Sequence, residues 1–180
     1  LFRRRGEYDR AIRMHQNLVE RPDLAAAQKL AALYELAQDY FKAGLLDRAE
    51  ELFLKLEGTS YAEQALRFLL EIYEQEKDWH KATGIAGKLE TVTGRSHQKE
   101  IANFYCELAM SEMMHSRPDA ARPHLAEALS HHRQCVRANM LLGDLEFSAK
   151  DPEAAIDAWK RIESQSPQYL ALVAERIYNA

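Results

Sequence analysis

Two residue types in this chain carry the chemistry of metal or thiol sites: seven histidines and two cysteines, Cys106 and Cys135. Structural zinc needs about four converging nitrogen or sulfur ligands. The chain contains no His-Glu-x-x-His and no Cys-x-x-Cys, and its cysteines stand 29 residues apart. His131 and His132 are adjacent, so on a helix they diverge by about 100° and cannot both face one ion. His131 and Cys135 have i, i+4 spacing, but the repeat register described below puts a turn between them. His15 occupies a position where a packed, hydrogen-bonded ring is expected. Nucleophile elbows of the Gly-x-Ser-x-Gly kind and phosphate-cradling glycine loops are also missing, and the carboxylates spread along polar helix faces. No enzyme is expected. Gly84 and Gly87 fit close helix packing, since no strand precedes them. Arg3, Arg4 and Arg5 fit a solvated helix end.

The elements that would position these side chains are helices. With 47% hydrophobic residues the 180-residue chain is long enough and apolar enough to bury a core. Seven Gly and five Pro are too few for loop-rich β folds. The charge balance, 24 Lys and Arg against 28 Asp and Glu, leaves −4 and no nucleic-acid footprint. No apolar run approaches the roughly 20 residues of a membrane-spanning helix, and two cysteines are too few for a disulfide framework.

A repeat sets the arrangement. Ala11, Ala49, Ala82, Ala121 and Ala155 recur at separations of 38, 33, 39 and 34. Leu36, Leu69, Leu108 and Leu142 stand thirteen residues before the last four of these alanines, and Tyr40 and Tyr73 follow their leucines by four. Phe53 and Trp159 follow Ala49 and Ala155 by four, and Pro167 closes a repeat. This resembles the tetratricopeptide pattern, which implies an all-α, right-handed superhelix of antiparallel helix pairs. Helices are predicted near 8–20, 24–42, 46–57, 60–76, 79–92, 97–115, 118–131, 134–149, 152–164 and 167–180. Gly6 and Gly44 mark inter-helix turns, Asp151-Pro152-Glu153 a capped helix start, and Ser166-Pro167 a second one. The chain is read as one solenoid: a partial repeat over 1–23, repeats near 24–59, 60–96, 97–133 and 134–167, and a partial repeat over 168–180. Phe2 and Tyr178 both fall at the Tyr position ending a repeat's first helix, so further repeats are expected on both sides.

The same resemblance implies a concave face lined by the first helix of each pair. It places Tyr34, Gln38 and Phe41 there in the second repeat, and Arg67, Glu71 and Glu74 in the third. The fourth offers Asn103, Cys106, Met110, Met113 and Met114, and the fifth Arg137, Met140, Asp144, Phe147 and Ser148. The candidate partner-binding residues are Tyr34, Phe41, Arg67, Glu71, Cys106, Met110, Met113, Met140, Asp144 and Phe147. Methionines re-pack around varied partners, although a Met stripe at helical spacing also suits a core. The paired Lys and Asn by which some such domains grip a carboxylate terminus are missing at these sites.

Three stretches are more specific: Leu1–Leu18 (LFRRRGEYDRAIRMHQNL), Asp39–Leu52 (DYFKAGLLDRAEEL) and Ile101–Ala109 (IANFYCELA). They resemble the bacterial lipopolysaccharide assembly protein B family of the inner membrane. That resemblance implies an N-terminal membrane anchor, a solenoid on the cytoplasmic face, and a C-terminal rubredoxin-like module holding iron or zinc on four cysteines that have no counterparts here. It implies a non-enzymatic adaptor that lowers lipopolysaccharide synthesis by promoting degradation of the lipid A deacetylase through a membrane AAA+ protease. Lipopolysaccharide assembly proteins are further expected partners. Membrane contact is expected only through the anchor, with no nucleic acid and no cofactor in these residues. Two other readings stand beside this one. One is a metal-dependent redox sensor or enzyme accessory built on Cys106, Cys135 and nearby histidines, and the other is a self-assembly module.

Overall fold

The computed structural model describes residues 2–163 and 167–179. Its regular elements are a 3-10 turn at Arg3–Arg5 and ten α-helices. These are α1 (Tyr8–Glu20), α2 (Ala26–Lys42), α3 (Leu46–Lys55), α4 (Ala62–Glu76), α5 (Trp79–Thr93), α6 (Gln98–Met114), α7 (Pro118–His131), α8 (Val136–Ser148), α9 (Pro152–Glu163) and α10 (Pro167–Asn179). The predicted helices are all present, with ends within about two residues of expectation. Ser166, half of one predicted cap, lies outside the described residues. Asp151 does cap α9: its carboxylate accepts the Ala154 amide at 3.1 Å.

The turn inside each helix pair is the same object repeated. Gly6, Gly44, Lys77, Ser116 and Lys150 all have positive φ, between 57° and 78°. Each stands five residues before a repeat alanine, and each of those alanines is buried. The amide after the left-handed residue reaches back across the end of the preceding helix: Leu45 to Tyr40 O, Asp78 to Tyr73 O, Arg117 to Glu112 O and Asp151 to Glu146 O, at 2.9 to 3.0 Å. This closes the helix with a Schellman-type cap, and glycine is the residue that enters it without steric cost. Only Gly6 and Gly44 announce that turn in the sequence. The other three copies use Lys77, Ser116 and Lys150.

Two compact units share the chain: Leu1–Asp78 with Lys88–Arg95, and Trp79–Gly87 with Ser96–Ala180. In the first, α1 packs on α2, α2 on α3, and α3 on α4. Its core is aromatic. Phe53 and Phe68 stack at 4.8 Å, and Phe41 meets Phe68 edge-on at 5.1 Å. Tyr73 is buried and donates to Glu50 at 2.6 Å, and burial followed by that hydrogen bond pushes its phenol up. A polar cluster ties the start of the chain to α2. Arg3 donates to buried Asp39 at 3.0 Å and to Glu35 at 2.8 Å, while His15 bonds the other Asp39 oxygen at 2.5 Å and Gln16 donates to Tyr40 at 2.7 Å. His15 is therefore the packed, hydrogen-bonded ring expected of it.

In the second unit α6 packs on α7 and α8, α7 on α8, α8 on α9, and α9 on α10. Three small clusters belong to its core. Ala102, Cys106, Ala128, Cys135 and Ala138 form one, Ala109, Ala121, Leu125 and Leu145 another, and Ala155, Trp159, Ile162 and Val173 the third. Alanines at the crossings let the helices approach closely. Gly143 goes further, because a β-carbon there would lie 2.2 Å from Nε1 of Trp159.

Candidate functional site

The ten candidate residues divide by burial. Phe41, 7% exposed, and Cys106, fully buried, do not face an accessible surface. The expectation for these two is corrected: an aromatic ring facing Phe68 and a thiol inside an alanine-lined cluster are worth more in the core than in water. Tyr34 is half-buried in the same aromatic assembly, stacked on Tyr61 at 4.8 Å. Arg67 and Glu71 are exposed on α4, and Arg67 donates to Glu63 at 2.8 Å.

On α6 and α8 the methionines separate in the same way. Met113 packs against the cluster around Leu125, and Met140 against the one around Trp159. Met110 is half-buried, with the Arg137 guanidinium against its sulfur, and Arg137 also pairs with Glu107 at 2.6 Å. Met114, by contrast, is 82% exposed. Asp144 and Phe147 do come together. They line a cavity of about 430 Å³ with Ser148, Trp159, Glu175 and Arg176. Arg176 donates to Asp144 at 2.9 Å, and the 46%-exposed Phe147 ring lies tilted over Trp159 at 5.9 Å. This is an open aromatic surface edged by a charge pair, suited to an apolar side chain beside a polar group. Glu175 and Arg176 were not among the sequence candidates, because nothing local marks which residues of α10 face α8.

The structure also joins two residues that the sequence held 29 positions apart. Cys106 from the middle of α6 and Cys135 at the N-cap of α8 lie in one buried cluster, and both are free thiols. The neighbouring Cys106 thiol lowers the Cys135 pKa below the ordinary thiol range, and the Ala138 amide and His132 act in the same direction against burial. Cys135 and burial raise Cys106. α7 ends at His131, so the turn expected between His131 and Cys135 is present. His131 turns away toward Gln98, at 2.6 Å, and stacks on Tyr105 at 5.6 Å. Among the described residues no three His, Cys, Asp or Glu side chains converge as a metal site would need.

A Tetratricopeptide repeat family model matches residues 106–169. Lipopolysaccharide assembly protein B of Escherichia coli is 35% identical over 178 residues, which is 98% of this chain and 46% of the relative. Its namesake in Haemophilus influenzae is 39% identical over 173 residues, or 94% of this chain and 43% of that one. The chain thus spans somewhat less than half the length of the curated relatives it matches. A crystal structure of the MamA protein aligns over 97% of this chain and 88% of that one, at 17% identity and a TM-score of 0.48.

Proposed function

We propose that this chain, related along nearly its whole length to the lipopolysaccharide assembly protein B family, is the protein-binding portion of an adaptor in lipopolysaccharide assembly. The observation that carries the reading is that end-to-end identity. The repeat architecture supports its general form, since stacked helix pairs offer extended surfaces to protein partners. In the finer version, the adaptor brings the lipid A deacetylase to a membrane AAA+ protease and lowers lipopolysaccharide synthesis. It does so by tethering, raising the effective concentration of one partner at the other to the mM range for short flexible tethers, without chemistry of its own.

Attachment at the cytoplasmic face of the inner membrane belongs to the same proposal. So does an iron- or zinc-binding module on four cysteines elsewhere in the protein. Among the described residues no helix is long and apolar enough to cross a membrane. The two cysteines present do not fit a four-thiolate centre, and no step is assigned to a metal.

The test is a crosslinking pull-down from bacterial envelope with the membrane-attached protein and two variants. Phe147→Asp alters the open aromatic surface, while Lys160→Glu alters an exposed residue of α9 outside that cavity. Recovery of protease or deacetylase by the parent and by Lys160→Glu, with loss in Phe147→Asp, supports both the adaptor reading and this surface. Equal recovery by all three moves the interface elsewhere. Recovery of neither partner by the parent overturns the finer reading.

A further inference from the structure

The buried thiol pair has no part in tethering, and its surroundings differ from those of an inert core cysteine. Cys135 stands at the N-cap of α8, at the amide end of the helix, although its side chain makes no capping hydrogen bond. The turn that delivers it is fastened on both sides. The Cys135 amide donates to His132 O at 2.8 Å, and buried Asn139 donates its side-chain amide to Cys135 O at 3.0 Å and to Arg133 O at 3.3 Å. Cys135 also lines a cavity of about 460 Å³ whose other walls include Lys99, His132, Arg137 and Tyr169. Cys135, itself 5% exposed, therefore borders a recess that carries basic side chains. Cys106 is fully buried in the same alanine-lined cluster as Cys135 and does not line the cavity. Of the two buried thiols, only Cys135 stands at the cavity wall.

We propose that Cys106 and Cys135 are a peroxide-reactive dithiol, with Cys135 the attacking thiolate and Cys106 the resolving thiol of an intramolecular disulfide. The Cys135 thiolate attacks one oxygen of hydrogen peroxide. The O–O bond breaks, hydroxide leaves and takes up the proton that Cys135 gave to solvent, and Cys135 becomes a sulfenic acid. The Cys106 sulfur then attacks Cys135 Sγ. The S–O bond breaks, its oxygen departs as water with the Cys106 proton, and the S–S bond forms. Two thiols are oxidised and one peroxide is reduced to two waters. The lowered pKa of Cys135 and the raised one of Cys106 agree with this division of roles. The bond would fasten α6 to the start of α8, the first helices of two successive repeats.

The experiment treats the folded, reduced chain with hydrogen peroxide, blocks remaining thiols after denaturation, and maps peptides by mass spectrometry. The parent should lose both thiols together and yield a Cys106–Cys135 peptide lighter by two hydrogens, without dimers. Cys106→Ser should stop at a dimedone-trapped sulfenic acid on Cys135. In Cys135→Ser, oxidation of Cys106 should be at least about tenfold slower than that of Cys135 in the parent. Circular dichroism before and after treatment shows whether each form stays folded. Thiols that survive peroxide in the folded parent, or disulfides found only between chains, would overturn the proposal. So would equal oxidation rates in the two single variants.

Discussion

His15 bonds buried Asp39 through Nδ1 at 2.5 Å, and its neighbour Gln16 bonds Tyr40, so two adjacent residues of α1 read two adjacent residues of α2. Arg3 completes the set by donating to the other Asp39 oxygen. Asp39 is fully buried, and a buried carboxylate left without its cation is costly. Arg3→Ala should destabilise the protein by roughly 2–3 kcal/mol, below the figure for a fully buried pair because the Arg3 side chain is 27% exposed. Urea unfolding of Arg3→Ala, Asp39→Asn and the double variant measures the coupling. Strictly additive losses would show that the pair does not hold the N-terminal turn to α2.

Gly143 of α8 lies directly against Trp159 of α9. The Trp159 indole covers it so closely that even a methyl group meets Nε1, the five-membered ring carbon Cδ1 and Cε2. Gly143→Ala should cost roughly 1–3 kcal/mol through overpacking, outweighing the gain of about 1 kcal/mol that alanine brings to a helix. Thermal unfolding followed by circular dichroism checks the sign, and a stabilised variant would mean that α8 and α9 part without penalty.

The inter-helix turns make a prediction in the opposite direction. Ser116 and Lys150 hold φ of 57° and 64° at the position where Gly6 and Gly44 serve in the other copies. Replacing each with glycine should stabilise the protein by roughly 0.5–1 kcal/mol, because the left-handed conformation penalises a β-carbon. A shift of the denaturation midpoint to higher urea at unchanged slope is the expected result.

The opposed shifts of Cys106 and Cys135 should leave a signature in the pH dependence of stability. The folded pair keeps one proton over a wide range, since Cys135 is lowered and Cys106 raised. Unfolded thiols titrate near about pH 8.5. Below that value the unfolded pair binds more protons than the folded one, so the pair's contribution grows as pH rises and is lost as pH falls through the folded Cys135 pKa. Above it the unfolded pair binds fewer, and the contribution shrinks. The groups facing the pair are His132 before α8, Arg137 on α8, and Glu107 and Lys99 on α6. The stability difference between the parent and Cys106→Ala/Cys135→Ala should therefore peak near pH 8.5. A difference that stays flat from weakly acidic to weakly alkaline pH would refute a shared proton.

Much of this fold was legible along the chain because its information is periodic and local. A small residue every 33 to 39 positions, an aromatic four later at Phe53 and Trp159, and Asp151-Pro152 at a helix start are all read along the chain, and every one of those alanines is buried. The same locality explains the family resemblance, whose first two stretches supply Arg3, His15 and Gln16 on one side and Asp39 and Tyr40 on the other.

Which face of a helix meets which neighbour was not local. The sequence register put Phe41, Cys106 and Met114 on one kind of surface, yet packing buries the first two and leaves Met114 82% exposed. The left-handed turns at Lys77, Ser116 and Lys150 were hidden as well, because helix pairing can force a conformation that a residue's own preference opposes. Cys106 and Cys135 look unrelated across 29 residues. Only the folding of α7 back along α6 brings them into one buried cluster, since side-chain packing depends on separation in space, and a sequence specifies separation along the chain.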